Sequence, residues 1–505
     1  MKSDYDYIII GAGSSGVYLA TRLAKKGKRI KVIDSCSDKI LAFPNKLPIM
    51  AGSLLQDQKY SKIIQTSHQK NISNRSIPIF KSNLLGGLAE MNGAVCFKGH
   101  KKIYEKAFSK SFNKKNKIVN KIYNTKNSEL INFYNSRTKS NKTKITNFFI
   151  NFWNVKPDIN FDKNLIGSGY IKNNSYKSLR KTFLKEFIKM VRNGQINLDI
   201  NKNLNKIILK KGKPEKLIIN QNEILNCDSS KIVLCAGVIG SCEILLRSGI
   251  GDKKVLIKNR IKPTIDLSGV GKNLSDHPNI RLPFFSKEFE KDSLSISFLK
   301  KTSLLLKALI GKDSILNGSG ASVAVNIDIG KKARINDIVR IQLVHFSLKK
   351  NNDRRSFELD KKNNFSLSVS LIYPYSVGSI SLKKNKIVVN PQYLNSSKDM
   401  KNLSAGIKLA QKFIKETSNS TINLKFKNKK FLKNYIKKNL STGYHMVGSC
   451  SMGNSYKTNV CNEDLSVKKT KNLFICDSSV LPGQVSSNTY YPCLLLANYF
   501  VNNQN

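Results

Sequence analysis

Apolar residues near the start of the chain fall in short runs separated by glycine. Residues 5–10, Tyr-Asp-Tyr-Ile-Ile-Ile, are of the kind that fills a strand buried on both faces. Gly11-Ala-Gly13-Ser14-Ser15-Gly16 follows, and Val17-Tyr-Leu-Ala-Thr-Arg-Leu-Ala then has helical spacing. Gly27 ends that helix, and Arg29-Ile-Lys-Val-Ile-Asp34 reads as a second strand closing on an acid. Further along, residues 176–192 space their apolar positions as a helix does, while 197–200, 206–209 and 216–219 read as strands. Lys231-Ile-Val-Leu-Cys-Ala-Gly237 predicts another buried strand running into a turn. Residues 281–435 form a separate mixed region, with strands near 319–327, 338–347, 365–373 and 378–389 and a helix near 399–416. Between 101 and 164 lysine and asparagine crowd out any clear period, so this stretch is expected to be an excursion over the core or partly mobile. The order predicts an α/β chain with no internal repeat.

The first three elements have a chemical consequence. Strand, glycine turn, helix and acid-terminated strand is the context in which G-x-G-x-x-G binds a dinucleotide. The glycines let a pyrophosphate approach the helix N-terminus closely, and Asp34 is placed to accept from adenosine ribose hydroxyls. The competing reading is an empty tight turn.

Composition narrows the function classes. A chain of 505 residues with 40% hydrophobic content has length for two or more domains. No uninterrupted apolar stretch of about 18 residues is present, which speaks against a membrane-spanning helix. Acids precede the first apolar run and glycines break it, so it reads poorly as a signal peptide. A cytoplasmic location is expected. The net charge of +54 invites nucleic acid as a partner, yet 13 of the 87 basic residues are Arg. Lysines accompany abundant Asn and Ile, all with A/T-rich codons, and no nucleic-acid-binding signature appears. Nucleic acid is therefore not expected. Peripheral attraction to an anionic surface at the inner face of the membrane is the residual reading. Cysteines at 36, 96, 227, 235, 242, 450, 461, 476 and 493 include no C-x-x-C pair. Buried thiols are expected, without a disulfide framework or a metal.

Four blocks in order resemble the glucose–methanol–choline (GMC) oxidoreductase family. The first is the nucleotide motif. The second, Leu85-Gly86-Gly87-Leu88-Ala89-Glu-Met91-Asn92-Gly-Ala-Val95, is similar to a Gly-Gly-Ser-Ser-x-x-Asn loop beside the flavin. The third joins Ala236-Gly237 through Gly251 to Gly269-Val-Gly271-Lys-Asn-Leu-Ser-Asp276-His277-Pro278. The fourth is Gly443-Tyr-His445-Met-Val-Gly448 followed by Asp477-Ser478 through Asn488-Thr489. The resemblance spans most of the chain outside 101–164.

That resemblance implies a Rossmann-like FAD-binding domain from 1–100, 165–280 and 436–505. A sheet-and-helix substrate domain would comprise 101–164 and 281–435. FAD would lie on Gly11, Gly13, Ser14, Ser15, Gly16 and Asp34, with Leu204 at the adenine. Gly86, Asn92, Val95, Asp477, Ser478 and Thr489 would hold its ring half. Met91 replaces the histidine that attaches FAD in some members, so non-covalent flavin is expected.

The implied reaction is oxidation of an alcohol to a carbonyl, with oxygen, a quinone or another carrier as electron acceptor. His445 matches the active-site base, and an imidazole suits that task because it titrates near neutrality. Asn488 matches the second active-site position, where an amide would hydrogen-bond the substrate oxygen. Among the other histidines, 68, 100, 277 and 345, His277 reads as pinning the Asp276-His-Pro turn. Asp477 also reads as a helix N-cap. Leu88-Ala89 stands where the family has hydroxyl residues, and Thr489 where it has Pro. The alternatives are a lyase of the same fold, as in hydroxynitrile lyases, and a catalytically silent FAD-binding protein.

Overall fold

The computed structural model describes residues 5–504 apart from 38–45, 110, 113–116, 141, 156–163, 295–302, 304–305, 307–309, 311–315, 317, 331, 333, 350–357, 361, 418–425 and 427. Two sheets organise them. In the first, five parallel strands lie in the order Ile196–Asp199, Ile30–Ile33, Tyr7–Ile10, Lys231–Leu234, Leu473–Ile475. Tyr7–Ile10 sits at its centre and is buried throughout. A strand buried on both faces carries apolar side chains at successive positions, which is why it reads as a continuous apolar run.

The helix Ser14–Lys25 leaves the central strand through the glycine turn. Gly11 adopts φ +101°, and a Cβ there would sit 2.6 Å from the carbonyl oxygen of Cys235. At Gly16 a Cβ would lie 1.9 Å from the Gly11 carbonyl oxygen, so the helix crosses the strand as closely as glycine allows. The C-terminal helix Tyr490–Asn502, buried over nearly its whole length, packs beside it.

The second sheet has six antiparallel strands in the order Ser441–Thr442, Pro278–Phe284, Phe365–Leu371, Ile338–Val344, Ala321–Asp328, Gly167–Tyr170. Alternation divides its two faces. Ile280, Val325, Ile341, Leu367 and Val369 form one side of a core against Leu403, Ile407, Ala410 and Phe413 of the helix Ser397–Thr417. Asn326 and Arg340, opposite each other in register, point the other way. This architecture, a parallel-sheet domain joined to a sheet-and-helix domain, agrees with the fold class expected from the sequence.

Two local expectations are corrected. The helix expected over 176–192 begins at Leu184. Ahead of it Ser175–Tyr176 pairs with Leu179–Arg180, and Lys177 and Ser178 turn the hairpin with positive φ. Between 101 and 164 the chain also builds regular structure: helices Lys101–Ser109, Lys117–Tyr123, Ser128–Asn135 and Lys144–Phe152. The first three pack Ile103, Phe108, Ile122 and Leu130 into the core of the parallel sheet. The fourth packs Ile145 and Phe149 into the core of the antiparallel sheet. All nine cysteines are buried and unbridged. No helix among the described residues is long and apolar enough to cross a membrane.

Candidate active site

His445 lies just beyond the edge strand Ser441–Thr442, on a segment that runs antiparallel to 275–279. The pairing is continuous. Gly443 N–H donates to the His277 carbonyl at 2.7 Å, and Ser275 and Val447 exchange backbone bonds of 3.0 and 2.9 Å. A Cβ on Gly443 would come within 2.8 Å of the His277 Cβ, so a glycine here lets the strands close. The two histidine rings meet across this pairing, with His277 Nδ1 and His445 Nδ1 3.1 Å apart and ring planes at 80°.

Asp276 orders the same segment from below. Its Oδ1 accepts the His445 backbone N–H at 2.9 Å, and its Oδ2 accepts from the Tyr393 and Thr442 hydroxyls. Burial raises the Asp276 carboxyl pKa, against hydrogen bonds from Thr442, Tyr393, His445 and His277 that lower it.

The loop that carries Asn488 wraps over the histidines. Gln484 Nε2 donates to the His445 carbonyl at 2.9 Å, and the Val485 carbonyl faces His277 Nε2 at 3.0 Å. Arg340 reaches in from the antiparallel sheet, donating to the Ser486 carbonyl and to Asn326 Oδ1, both at 2.9 Å. Asn488 Oδ1 is buried and finds no hydrogen-bond partner among the described residues. Burial, then the Arg340 charge, lower the His445 pKa to about 4. Burial, His445 and Arg340 together push that of His277 well down. Both rings are therefore neutral at ordinary pH, the form a proton acceptor needs.

The remaining histidine rings make other contacts. His345 bonds the Asp292 carbonyl and the Ser322 hydroxyl, each at 2.6 Å, and His68 bonds the Asn74 carbonyl at 2.9 Å. His100 N–H donates to Ser486 Oγ at 2.8 Å, which ties it to the same loop through its backbone.

The expected cofactor residues gather around the turn of the parallel sheet. Gly13 caps the helix Ser14–Lys25 without a side-chain hydrogen bond, and no acid occupies its first turn. Its leading N–H groups and the positive end of its dipole are thus available to an anion. The loop of Gly86 closes over that end: Gly86 N–H donates to the Ala12 carbonyl at 2.9 Å, and a Cβ on Gly87 would lie 3.0 Å from the Gly13 Cα. A small cleft opens beside it, lined by Ser14, Gly86, Glu90, Thr182, Leu184 and Tyr490. Asp34 lies at the strand end, where its carboxylate accepts the N–H groups of Ala12 and Cys36.

Other expected residues make protein contacts. The Ser15 hydroxyl donates to the Cys493 carbonyl at 3.4 Å, away from the turn. Asn92 Oδ1 accepts Ala94 N–H at 2.8 Å and Arg180 Nη1 at 2.6 Å, while its carbonyl accepts Arg180 Nη2 at 2.6 Å. Val95 bridges to Asn173, and Leu204 opens a strand paired with Ile219. Asp477 takes Gly237 N–H at 2.9 Å and Ser241 Oγ at 2.5 Å on one oxygen, and Ser479 N–H at 2.8 Å on the other. It thereby caps the short 3₁₀ turn Ser478–Val480 and links it to the helix Gly237–Arg247. Thr489 caps the C-terminal helix through its backbone alone. Uncapped helix N–H groups, a glycine-lined cradle and an acid at the second strand's end fit a dinucleotide. The orphaned Asn488 Oδ1 is a polar atom that a ring system or substrate would satisfy.

Three residues at this centre were not singled out from the sequence: Asp276, Arg180 and Arg340. Asp276 carried a signal, since an acid before His-Pro opens the strand opposite His445. The arginines carried none, because Arg180 reaches Ala89 and Asn92, and Arg340 reaches Ser486, across about 90 to 150 positions of chain.

Known proteins match this chain over nearly its full length. Two GMC oxidoreductase family models match residues 166–279 and 374–497. An "alcohol dehydrogenase [acceptor]" of Pseudomonas putida is 26% identical, the match covering 98% of this chain and 94% of that protein. An "oxygen-dependent choline dehydrogenase" of Staphylococcus xylosus is 24% identical over the same shares. Among solved structures, pyridoxine 4-oxidase from Mesorbium loti superposes with a TM-score of 0.81 at 18% identity, covering 99% of both chains.

Proposed function

This chain belongs to the GMC oxidoreductase family, and we propose that it oxidises an alcohol to a carbonyl compound with bound FAD. FAD supplies the acceptor for the hydride that leaves the carbinol carbon. His445 takes the hydroxyl proton, so the alcohol gives up one hydride and one proton. The Asn488 amide donates a hydrogen bond to the oxygen as negative charge grows there. Arg340 acts in the same direction: a nearby cation disfavours the His445 imidazolium but favours an alkoxide. Burial keeps His445 neutral and weakens it as a base, and stabilisation of the developing oxyanion compensates.

The observation that carries this reading is the placement of Gln484 and Val485 against His445 and His277, which brings the Asn488 loop onto the histidine pair. Gly11, Gly13, Ser14, Gly16 and Asp34 would hold the dinucleotide half. Gly86, Asn92 and the Asp477-Ser478 turn would shape the ring end, the last two through backbone they fix rather than through free side chains. Met91 is buried beside Leu54 and Leu84, and a thioether there supports non-covalent flavin.

The test is anaerobic mixing of the flavin-loaded protein with a panel of primary alcohols that includes choline and pyridoxine. Bleaching of the flavin by one of them, and its loss in His445→Ala, is the expected result. A flavin spectrum that no member changes, or bleaching unaffected in His445→Ala, overturns the assignment. Acid precipitation is expected to release the flavin into the supernatant.

A further inference from the structure

His277 is placed to do more than hold a turn. Its Nε2 faces two carbonyl oxygens, Ile372 at 3.2 Å and Val485 at 3.0 Å. A ring nitrogen between two carbonyls must carry hydrogen, since a lone pair there would face theirs. His277 is 6% exposed, and burial without a carboxylate against the ring opposes a second proton. The groups facing this pair are Arg340 from the antiparallel sheet and Asp276, whose oxygens are bonded to the His445 backbone and to the Tyr393 and Thr442 hydroxyls. Neither supplies an acceptor to the rings. His277 is therefore neutral with its hydrogen on Nε2, and its Nδ1 is an acceptor. The only atom across from that Nδ1 in the pair is His445 Nδ1, 3.1 Å away. It must donate.

We infer that His277 is a positioning residue that fixes His445 as the Nδ1–H tautomer and thereby leaves the His445 Nε2 lone pair as the proton acceptor. Balance is simple: His445 Nε2 gains the hydroxyl proton, and its Nδ1–H stays bonded to neutral His277 before and after transfer. No proton moves between the two rings. Without His277 the buried His445 ring is free to place its hydrogen on Nε2, where it blocks the base. The functional part of this inference rests on His445 being the base; the tautomer itself does not.

With five histidines in the chain, the tautomers can be read directly. Long-range ¹H–¹⁵N correlation spectra of the ¹⁵N-histidine-labelled holoenzyme, assigned by single replacements, are expected to show Nδ1–H on His445 and Nε2–H on His277. A His445 resonance pattern with the hydrogen on Nε2 overturns the inference whether or not any alcohol is oxidised. His277→Asn keeps an oxygen near the Nδ1 position, whereas His277→Gln reproduces the Nε2 end and lacks that acceptor. Expected is a fall in kcat of ~10- to 100-fold in His277→Gln, with KM and the flavin spectrum little changed, and recovery of most of it in His277→Asn. Equal kcat in all three proteins, or an equal fall in both variants, overturns the positioning role. If no alcohol reduces the flavin of the unaltered enzyme, the base assignment fails, while the spectra still decide the tautomer.

Discussion

The Asp276 carboxylate accepts the backbone N–H of His445 at 2.9 Å and, on its other oxygen, the hydroxyls of Tyr393 and Thr442. A residue 4% exposed thus ties the histidine segment to the antiparallel sheet and to the loop of Tyr393. In Asp276→Asn one oxygen becomes an NH₂ facing two hydroxyl donors. The expected cost is roughly 1–3 kcal/mol of stability, because buried partners lose their acceptor. Activity should fall at least ~10-fold, since the ring shifts relative to substrate. Thermal unfolding and kcat/KM of the purified variant check both, and unchanged values refute the anchoring role.

Much of this centre is legible in the sequence. Tyr7–Ile10, the glycine turn and Asp34 follow local rules in which a buried strand, a close helix crossing and an acid at a strand end each leave a mark. His445 and Asn488 stood out through the blocks around them. The helices between 101 and 152 did not, although Ile103, Tyr104, Ala107 and Phe108 trace an apolar stripe, because short helices rich in Lys and Asn dilute the period. The hairpin at Tyr176–Leu179 hid inside an apparent helix for the opposite reason: Leu179 and Phe183 keep helical spacing while Lys177 and Ser178 turn left-handed. His277 reads in the sequence as a turn residue because a contact across 168 positions has no local signature.

The loop of Asn92 depends on an arginine. Arg180 donates to the Ala89 carbonyl at 3.0 Å and twice to Asn92, at 2.6 Å each. Burial lowers its pKa to about 10, so it stays charged at neutral pH. Arg180→Lys keeps the charge but lacks the fork that reaches both residues. The variant should retain fold and lose flavin, with the flavin-to-protein absorbance ratio falling severalfold. Full retention of flavin would show that the loop stands without this clamp.

Two glycines of the nucleotide turn should respond differently to a methyl group. Gly16→Ala places a Cβ 1.9 Å from the Gly11 carbonyl oxygen, a backbone atom that moves only if helix and strand separate. Insoluble or flavin-free protein is expected. At Gly13 the nearest atom is the Cys235 carbonyl oxygen at 4.0 Å, and φ is −79°, which alanine adopts freely. Gly13→Ala should fold with an unchanged circular dichroism spectrum and bind flavin more weakly, through crowding of the pyrophosphate. Equal behaviour of the two variants contradicts this division of labour.

Acid should expose the histidine pair. His277 and His445 are neutral when folded, with pKa values lowered by burial, to about 4 for His445. In the unfolded chain they return to about 6.5. The unfolded state therefore binds more protons below that value. Their contribution to stability is fully present above pH ~6.5 and is lost as pH falls towards the folded values. Buried Asp276 and Asp477, whose pKa values burial raises, slope the opposite way, so a difference measurement is needed. The stability difference between the unaltered enzyme and His277→Asn should shrink from pH 7.5 to 4.5, as chemical denaturation at each pH will show. A constant difference rules out this titration.

Asn488 separates catalysis from stability. Its Oδ1 is buried and has no partner among the described residues, so no hydrogen bond within the flavin-free protein rests on that acceptor. Removing the amide in Asn488→Ala should leave the melting temperature unchanged or slightly raised. On the role proposed for Asn488, the same change also removes the donor to the developing alkoxide, and oxyanion donors are worth about 10²–10³ in kcat. Asn488→Ala should thus lose kcat without losing fold or flavin, with KM changing less than kcat. Asn488→Asp tests charge at the same place, because a carboxylate repels an alkoxide and cannot donate; its kcat should fall below that of the alanine variant. A drop in melting temperature with kcat preserved would reassign Asn488 to the packing of its loop.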